Sequence, residues 1–323
     1  MKRALEATLL TIALVLAACG SSGEPPRVIQ AYPADGYHGF SRGEAIVISF
    51  DQPMDAAATE GAFLLTGPGG APVSVGFAWE DGGRRLVVTP NDPVAYSLDD
   101  SYTTYRYRLS TGARSAAGLA LAEPLDVSFT TLRTLSASLT SLAVYDGAVS
   151  RLGVVYNDST GQTNYTPVRL GDTVANVGVR VFLAFDVSGV VTAPENVITA
   201  LLQVYNENVV GNPFGGLGDV LVEKVGYLDD DLELDEDDYG LNAAAALEPV
   251  TGWNAGETKV FGVTDWLAAV LAAEPLNGDR RYLQLRFSFE QESNDDGVED
   301  TLNLATGESA DHPPVLEVTY FGP

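Results

Sequence analysis

A run of oxygen-bearing residues between two apolar segments has the spacing of a calcium-binding loop. Calcium takes about six to eight oxygen ligands, which such a loop supplies from alternate side chains and one main-chain carbonyl. The residues at these offsets are Glu292, Asn294, Asp296, Val298 (through its carbonyl) and Asp300. Gly297 stands at the sharp bend, but Asn303 replaces the usual bidentate glutamate. The pattern therefore predicts either a Ca²⁺ site or a solvated Asp-Gly hairpin, which needs no metal.

Eight acidic residues lie within the ten positions 229–238. Neighbouring like charges repel by up to about 1 kcal/mol per pair even in water. We therefore expect this segment to stay solvated, or else to gather divalent cations that bridge it to an anionic polysaccharide. Leu232 and Leu234 alternate with the acids, which predicts a short edge strand that its charges protect from pairing.

Trp253 is the residue on which a sugar ring could stack. It lies among turn-forming residues, between Gly252 and Asn254, so that its ring could be exposed to a ligand. The alternative is that the ring caps the apolar core of a β-sandwich. We expect the other two tryptophans, Trp79 and Trp266, to lie in cores.

No set of residues indicates catalysis. His38 and His312 are isolated beside turn residues, and no Gly-x-Ser-x-Gly motif accompanies them. Paired catalytic carboxylates cannot be recognised among 44 acidic residues without knowledge of their environments. One cysteine and two histidines leave no disulfide framework and no thiolate–imidazole zinc site. We therefore expect a protein that is not an enzyme, with no catalytic residue and no cofactor other than Ca²⁺.

Length and composition indicate two folded domains of unequal charge. Of the 323 residues, 46% are apolar and 19% are charged, which is too hydrophobic for a disordered chain. Residues 27–131 include 7 basic and 12 acidic residues, whereas residues 133–323 include 9 basic and 30 acidic ones. The net charge of −26 would repel phosphate backbones, which makes nucleic acid an unfavourable partner.

Residues 1–18 predict a signal peptide that ends before a lipidated cysteine. Lys2 and Arg3 precede an apolar run, 8–18, that is too short to span a bilayer. The sequence Leu16-Ala-Ala-Cys19 resembles a bacterial lipobox, which implies cleavage before Cys19 and attachment of fatty acyl chains such as palmitate. Residues 19–26 would form a flexible tether, and the following Gly20 favours the outer membrane or cell surface. An ordinary secretory signal with a chance cysteine is the alternative.

Residues 27–131 predict an Ig-like antiparallel β-sandwich. Three segments alternate apolar and polar residues: 46–50, 105–109 and 125–129. The motifs Pro33-Ala-Asp-Gly36 and Phe50-Asp-Gln-Pro-Met-Asp55 resemble those of the bacterial Ig-like domain of the SbsA type. This resemblance implies a spacer that displays other domains and carries no chemistry of its own.

Residues 133–323 predict a second, larger β-sandwich of jelly-roll type with one short helix. Alternation over 177–185, 283–289 and 316–320 predicts strands. Thr264 is the predicted N-cap of a helix over 266–273.

The same region resembles the DNRLRE-type domain of secreted microbial proteins, which is related to carbohydrate-binding modules. The resemblance rests on the succession of the blocks 178–188, 199–202, 211–214, 263–266 and 313–320. It implies a sandwich that binds sugar, although residues 307–310 replace a Ser-Arg-Glu motif that relatives often carry.

Together these features predict a lipid-anchored cell-envelope protein in which an Ig-like spacer displays a non-catalytic β-sandwich binding module. The expected partners are a membrane, through the lipid, and a polysaccharide, whose binding Ca²⁺ would assist. The alternative is a structural or adhesive lipoprotein that packs against envelope proteins and has no glycan ligand.

Overall fold

The computed structural model describes residues 23–156, 166–228, 232–276 and 278–323. Contacts divide the chain into two compact units. Within the described residues, the first unit comprises 23–94 and 104–130, and the second comprises 95–103 and the residues from 131 onward. The predicted signal peptide and the predicted lipidation site, Cys19, lie outside the described residues.

The first unit is an antiparallel β-sandwich. Its strands are β1 (Val28–Tyr32), β2 (Tyr37–Phe40), β3 (Ile46–Phe50), β4 (Phe63–Thr66), β5 (Val75–Glu80), β6 (Arg85–Pro90), β7 (Thr104–Leu109) and β8 (Leu125–Thr131). They form two four-stranded sheets, ordered β1-β3-β6-β5 and β2-β8-β7-β4. Every second residue of β7 is buried, because successive side chains of a strand point to opposite faces. The strands predicted from alternation in this unit are confirmed.

Aromatic side chains fill the interior of the first unit. Tyr107 is fully buried, and its hydroxyl donates a 2.7 Å hydrogen bond to the main-chain oxygen of Pro33. The ring of Phe129 lies 6.2 Å from that of Tyr107 and 4.8 Å from that of Phe40, measured between ring centroids. The buried hydroxyl is thus satisfied inside an otherwise apolar core.

The described part of the second unit contains twelve further strands, whose ladders are antiparallel. They are β9 (Arg133–Thr140), β10 (Gly147–Ser150), β11 (Val155–Tyr156), β12 (Val168–Asp172), β13 (Gly178–Asp186), β14 (Val197–Val210), β15 (Val220–Lys224), β16 (Ala245–Ala246), β17 (Glu257–Gly262), β18 (Tyr282–Phe289), β19 (Asp300–Leu304) and β20 (Val315–Gly322). Hydrogen bonds link them in the order β16-β15-β18-β13-β12-β19-β14-β20-β9. The β10-β11 hairpin joins β13, and β17 joins β14.

The long strand β14 connects the two layers of this sandwich. Its first part pairs with β20 on one side and β17 on the other, whereas residues 206–210 pair with β19. The register with β19 shifts between Asn206 and Asn208. A bulge of this kind bends a strand, which lets one strand serve two layers. The fold is therefore all-β, as predicted: an Ig-like sandwich and a larger second sandwich.

Strand β13 is buried on both faces, which explains its nearly continuous apolar sequence. Leu183 and Phe185 face the larger core, where Phe287 of β18 also lies. Phe182 faces a smaller core, and its ring lies 5.2 Å from that of Tyr227. The second unit thus has a layer of packed side chains on each side of its central strands.

Helices are few and short. They are α1 (Ala56–Gly61), α2 (Pro213–Gly216) and α3 (Thr264–Ala272). The prediction that Thr264 is an N-cap is wrong: the helix begins at Thr264, whose Oγ1 accepts a 3.0 Å hydrogen bond from the N–H of Ala200 in β14. None of the helices in the described ranges is long and apolar enough to cross a membrane.

Candidate functional site

The predicted calcium loop connects β18 to β19 and is folded by its own side chains. Asn294 Oδ1 accepts from the N–H of Asp296 at 3.1 Å, and Asp296 Oδ1 accepts from the N–H of Val298 at 2.7 Å. Gly297 has a φ of +73°, a conformation that favours glycine. These local bonds hold a tight turn that exposes Val298.

Three of the five predicted ligands come together. The amide nitrogen Nδ2 of Asn294 donates to Asp296 Oδ2 at 3.1 Å and to Asp300 Oδ2 at 3.0 Å, so it lies between two carboxylates. Asp300 is 3% exposed, and its Oδ1 accepts a 2.5 Å hydrogen bond from the N–H of Asn212. Among the residues that the structure describes, no three Asp, Glu, His or Cys side chains form a ready group of metal ligands.

Glu292 is not part of that group. Its carboxylate lies 3.3 Å from Nη2 of Arg180, which is in β13. It also lies 3.6 Å from Nη1 of Arg151, which is in the turn after β10. The Arg180 guanidinium also lies 4.2 Å from the centre of the Tyr239 ring. Burial raises the pKa of Tyr239 to about 12, although the charge of Arg180 opposes the increase. Glu292 therefore balances arginine charge rather than facing the loop.

A buried acid that sequence reasoning missed lies beside the loop. Asp172, the last residue of β12, is 0% exposed, and neither carboxylate oxygen accepts a hydrogen bond from the described residues. It pairs directly with Asp300 in the ladder between β12 and β19. The sequence could have indicated this burial. Val168 and Leu170 are core residues, and strict alternation would place the side chain of Asp172, two positions further along, on the same side of the strand.

The described part of the acidic run, 232–238, is a compact turn. Asp235 Oδ1 accepts from the N–H of Asp237, and Asp238 Oδ2 accepts from the N–H of Asp235, both at 2.8 Å. Leu234 is buried in the smaller core. The predicted edge strand is therefore wrong for these residues, because one leucine anchors the segment and its acids cap their own backbone. Residues 229–231 lie outside the described part.

Trp253 lies in the larger core and is 2% exposed. Its Nε1 donates a 2.9 Å hydrogen bond to the main-chain oxygen of Glu257, and its ring packs 5.8 Å from Phe261 and 6.3 Å from Phe287. A ring on which a sugar stacks must expose at least one of its faces to solvent, and the ring of Trp253 exposes neither. The prediction of an exposed Trp253 is wrong, and the alternative, a cap on the sandwich, fits the structure.

A stacked aromatic pair at the surface of the second unit comprises an exposed histidine and a half-buried tyrosine. The rings of Tyr205 in β14 and His312 stack 4.0 Å apart at an angle of 19°. They line an open hollow of about 380 Å³. The other residues that line it are Thr166, Glu207, Ser309, Ala310 and Asp311. The pair could have been found from the outward phase of Tyr205, which alternates with the buried Val204 and Asn206.

These hollow residues suit a hydroxylated ligand. Hydroxyl, carboxylate and imidazole groups beside an aromatic pair can exchange hydrogen bonds with hydroxyls while the rings contact the apolar face of a sugar. The other histidine, His38, lies in the first unit, where its Nδ1 is 2.8 Å from Thr130 Oγ1. The hollow therefore combines an aromatic pair with groups that can donate and accept hydrogen bonds.

Comparison with known proteins finds one family model that matches part of this chain. Residues 22–131 match the model of the bacterial Ig-like domain. No curated protein matches the sequence.

Solved structures give only weak likenesses. CopC from Methylosinus trichosporium OB3b is 16% identical, with a TM-score of 0.26, and the match covers 33% of this chain and 94% of that one. The N-terminal part of the bacterial S-layer protein SbsC is 18% identical, with a TM-score of 0.26, over 50% of this chain and 41% of that one. Native alpha-2-macroglobulin from Escherichia coli, spanning domains MG0-NIE-MG1, is 11% identical, with a TM-score of 0.28, over 88% and 72%. Scores this low assign no function. What the comparisons establish is that residues 22–131 of this chain are similar to the bacterial Ig-like domain.

Proposed function

We propose that this chain is a lipid-anchored cell-envelope protein in which the Ig-like domain holds a non-catalytic β-sandwich away from the membrane, and that this sandwich binds a polysaccharide. The observation that carries the binding part of the proposal is the stacked Tyr205–His312 pair in its polar hollow, in which His312 is exposed and Tyr205 is half-buried. Sugar ligands are recognised by such a combination of an aromatic surface and convergent hydrogen-bonding groups.

The anchoring part of the proposal depends on the sequence. The only cysteine of the chain is Cys19, at the end of an apolar run of signal-peptide length. Several acyl chains on one cysteine would hold the protein firmly, since each buried methylene contributes about 0.8 kcal/mol. We expect Cys19→Ser to move the protein out of the membrane fraction of the cells that produce it. A protein that stays in that fraction would show that another feature holds it there.

The charge of the second unit limits the class of glycan. Residues 133–323 have 30 acidic and 9 basic residues, so an anionic polysaccharide would be repelled unless cations lay between the two. Glu207 and Asp311, both exposed, add negative charge at the hollow itself. A neutral polysaccharide with free hydroxyl groups is therefore the better match.

The test is retention of the purified full chain, in detergent, on a panel of neutral and anionic polysaccharides. We expect retention on a neutral class, and binding about three- to tenfold weaker in His312→Ala, since an aromatic contact contributes about 0.5–1.5 kcal/mol. His38→Ala is the matched control, because it removes an exposed histidine from the Ig-like unit.

Each outcome has a distinct meaning. Equal retention of both histidine variants would keep a polysaccharide-binding module but move its site away from the hollow. No retention of the folded protein on any polysaccharide would favour a structural or adhesive role against envelope proteins. Retention that a chelator abolishes would indicate that a cation assists binding.

A further inference from the structure

A buried acid, Asp146, binds the chain segment that forms one side of the hollow. Asp146 directly precedes β10 and is 1% exposed. Its Oδ1 accepts a 3.0 Å hydrogen bond from the N–H of Ala184 in β13, and its Oδ2 accepts a 2.9 Å hydrogen bond from the N–H of Gly307. Such bonds offset the loss of hydration that burial of a carboxyl group causes. The side chain thus joins a central strand of the sandwich to the segment that follows β19.

The segment 305–312 carries four of the residues that line the hollow. They are Ser309, Ala310, Asp311 and His312. The segment begins beside Tyr205, because the N–H of Ala305 donates a 3.0 Å hydrogen bond to the main-chain oxygen of Tyr205. It ends beside the same residue, because the ring of His312 stacks on that of Tyr205. The position of the His312 ring therefore depends on the path of the residues between these two contacts.

That path is a compact turn that packs closely on the sandwich. The N–H of Ser309 donates a 2.9 Å hydrogen bond to the main-chain oxygen of Thr306, and Ser309 Oγ accepts a 3.2 Å hydrogen bond from the N–H of His312. A Cβ atom added at Gly307 would lie 2.6 Å from the main-chain oxygen of Ser141, so glycine lets the turn lie directly against the backbone there. Gly307 is therefore attached to the sandwich by packing as well as by its hydrogen bond.

We propose that Asp146 is a positioning residue for the hollow: by holding Gly307, its buried carboxyl group fixes the path of the segment 305–312 and so places the ring of His312 on that of Tyr205. Because Asp146 is almost wholly buried, it acts on a ligand only through this segment. The effect on a ligand rests on the polysaccharide binding proposed above, whereas the placement of the ring can be measured without a ligand.

The first test is the NMR signal of the His312 ring in the purified full chain, in detergent and without ligand. The sequence has two histidines, so His38→Ala assigns the two ring signals. Spectra are recorded at about pH 8.5, where histidine is ordinarily neutral. Protons over the face of an aromatic ring are shielded, so the His312 signal should lie upfield of its position in Tyr205→Leu, which lacks the stack. In Asp146→Asn the signal should move most of the way to that position, because an amide has one accepting oxygen and cannot bind both N–H groups.

Two further variants make the result specific. Asp172→Asn alters another buried acid of the second unit, whose ladder partners lie outside the segment 305–312, and should leave the His312 signal in place. Gly307→Ala leaves the carboxyl group of Asp146 intact but forces the turn away from the sandwich, and should move the signal as Asp146→Asn does. If Asp146→Asn does not fold, Gly307→Ala replaces it.

The second test is the affinity for the neutral polysaccharide that the original protein retains. Asp146→Asn should weaken binding about three- to tenfold, as His312→Ala does, because both remove the same aromatic contact. The double variant should bind no more weakly than His312→Ala alone, since two changes that act through one contact are not additive. A general loss of folded protein would instead reduce binding by the same factor with and without His312.

Three results would overturn the proposal. One is a His312 signal that Tyr205→Leu does not move. Another is a signal that keeps its position in folded Asp146→Asn, or in Gly307→Ala where Asp146→Asn does not fold. The third is a loss of affinity in Asp146→Asn that is the same with and without His312.

Failure of the proposed function would look different. The original protein would then bind no polysaccharide, while the His312 signal would still move in Asp146→Asn. That result would support the positioning role of Asp146 and contradict the polysaccharide.

Discussion

The two units differ in the kind of polar side chain that they bury. Apart from tyrosines, the buried polar side chains among the described residues of the first unit are three hydroxyls: Thr59, Ser115 and Thr130. All buried charged side chains of the described chain belong to the second unit: Asp146, Asp172, Asp238, Arg286 and Asp300. A β-sandwich can be stable with a core of apolar residues and hydroxyl groups alone. Burial of charge is unfavourable unless it is compensated, so the second unit must supply partners for its buried acids and for its buried arginine.

The buried charges of the second unit also differ among themselves. Asp146 accepts hydrogen bonds from the N–H groups of Ala184 and Gly307, at 3.0 and 2.9 Å. Arg286 pairs with Glu223. Asp172 alone of the five has no such partner for either oxygen. The comparison within the unit therefore separates acids that accept hydrogen bonds from the fold from one, Asp172, that accepts none from the described residues.

The largest effect is expected from Glu223→Gln. The Arg286 guanidinium is 5% exposed and lies 2.8 Å from Glu223 Oε2, so the variant leaves a buried cation without its counter-ion. Loss of one partner of a buried ion pair reduces the free energy of unfolding by about 3–5 kcal/mol. Urea unfolding of the full chain, followed by hydrogen exchange in β15 and β18, measures the loss in the second unit.

The first unit supplies the control. Glu80 lies 2.7 Å from Arg85 Nη1, but both side chains are about half exposed. Exposed pairs contribute about 0–1 kcal/mol, so Glu80→Gln should change the free energy of unfolding by less than that. Losses of equal size in the two variants would contradict the contrast between the units.

The pH dependence of stability is expected to depend on Asp146. Burial raises the pKa of Asp146 to about 7, and the charge of Glu308 adds to the increase. The folded chain then holds a proton that the unfolded chain releases near pH 4. The contribution of Asp146 to stability is therefore full below about pH 4 and is lost as the pH rises to about 7, by roughly 4 kcal/mol.

Comparison of the original chain with Asp146→Asn isolates this effect from those of the other acids. Asparagine does not titrate, so the free energy of unfolding of the variant, relative to the original, should rise steadily between pH 4 and pH 7. Asp92→Asn, at an exposed position of the first unit, should show no such trend. A constant difference between Asp146→Asn and the original would show that Asp146 ionises alike in the folded and unfolded chains.

A smaller effect is expected from Tyr107→Phe in the first unit. The variant keeps the ring but removes the hydroxyl that donates to Pro33, which leaves a buried main-chain oxygen unsatisfied. The loss should be about 1–3 kcal/mol, measured by urea unfolding with hydrogen exchange in β7. The control is Tyr37→Phe, whose half-buried hydroxyl bonds only to Tyr32. Equal losses would mean that the hydroxyl of Tyr107 contributes nothing specific.

The sequence predicted the strands well because alternation is a local property. Residues 105–109 and 283–289 alternate in the printed sequence, and both lie in strands of the structure. A helix was predicted over 266–273 and is found over Thr264–Ala272. Thr264 is its first residue and not its N-cap, and the hydroxyl of Thr264 binds a strand that lies 64 positions away in the sequence.

The candidate site was predicted less well because its members come from distant segments. Trp253 has turn-forming neighbours, yet Phe261 and Phe287 bury its ring. Glu292 has the spacing of a ligand, yet two arginines from other elements hold it. Asp172 lies 128 positions from its ladder partner Asp300. The spacing of residues in the sequence identified the acidic loop over 292–300. Which of its acids form ion pairs or hydrogen bonds depends on elements that the fold brings next to it.

The smallest effect is expected at the start of a helix in the first unit. Asp55 Oδ1 accepts a 2.8 Å hydrogen bond from the N–H of Ala58, which satisfies one of the free N–H groups at the beginning of α1. Asp55→Ala should therefore reduce the free energy of unfolding by about 0.5–2 kcal/mol. In α3 of the second unit no side chain caps the helix, and Asp265 in its first turn acts only through its charge.

The matched variant Asp265→Ala should therefore lose less than about 1 kcal/mol, and this loss should shrink in high salt while that of Asp55→Ala persists. Urea unfolding at low and high ionic strength distinguishes the two. If high salt abolished the loss in the free energy of unfolding for both variants, Asp55 would stabilise α1 by its charge alone. The two helices would then be stabilised at their N-termini by the same interaction.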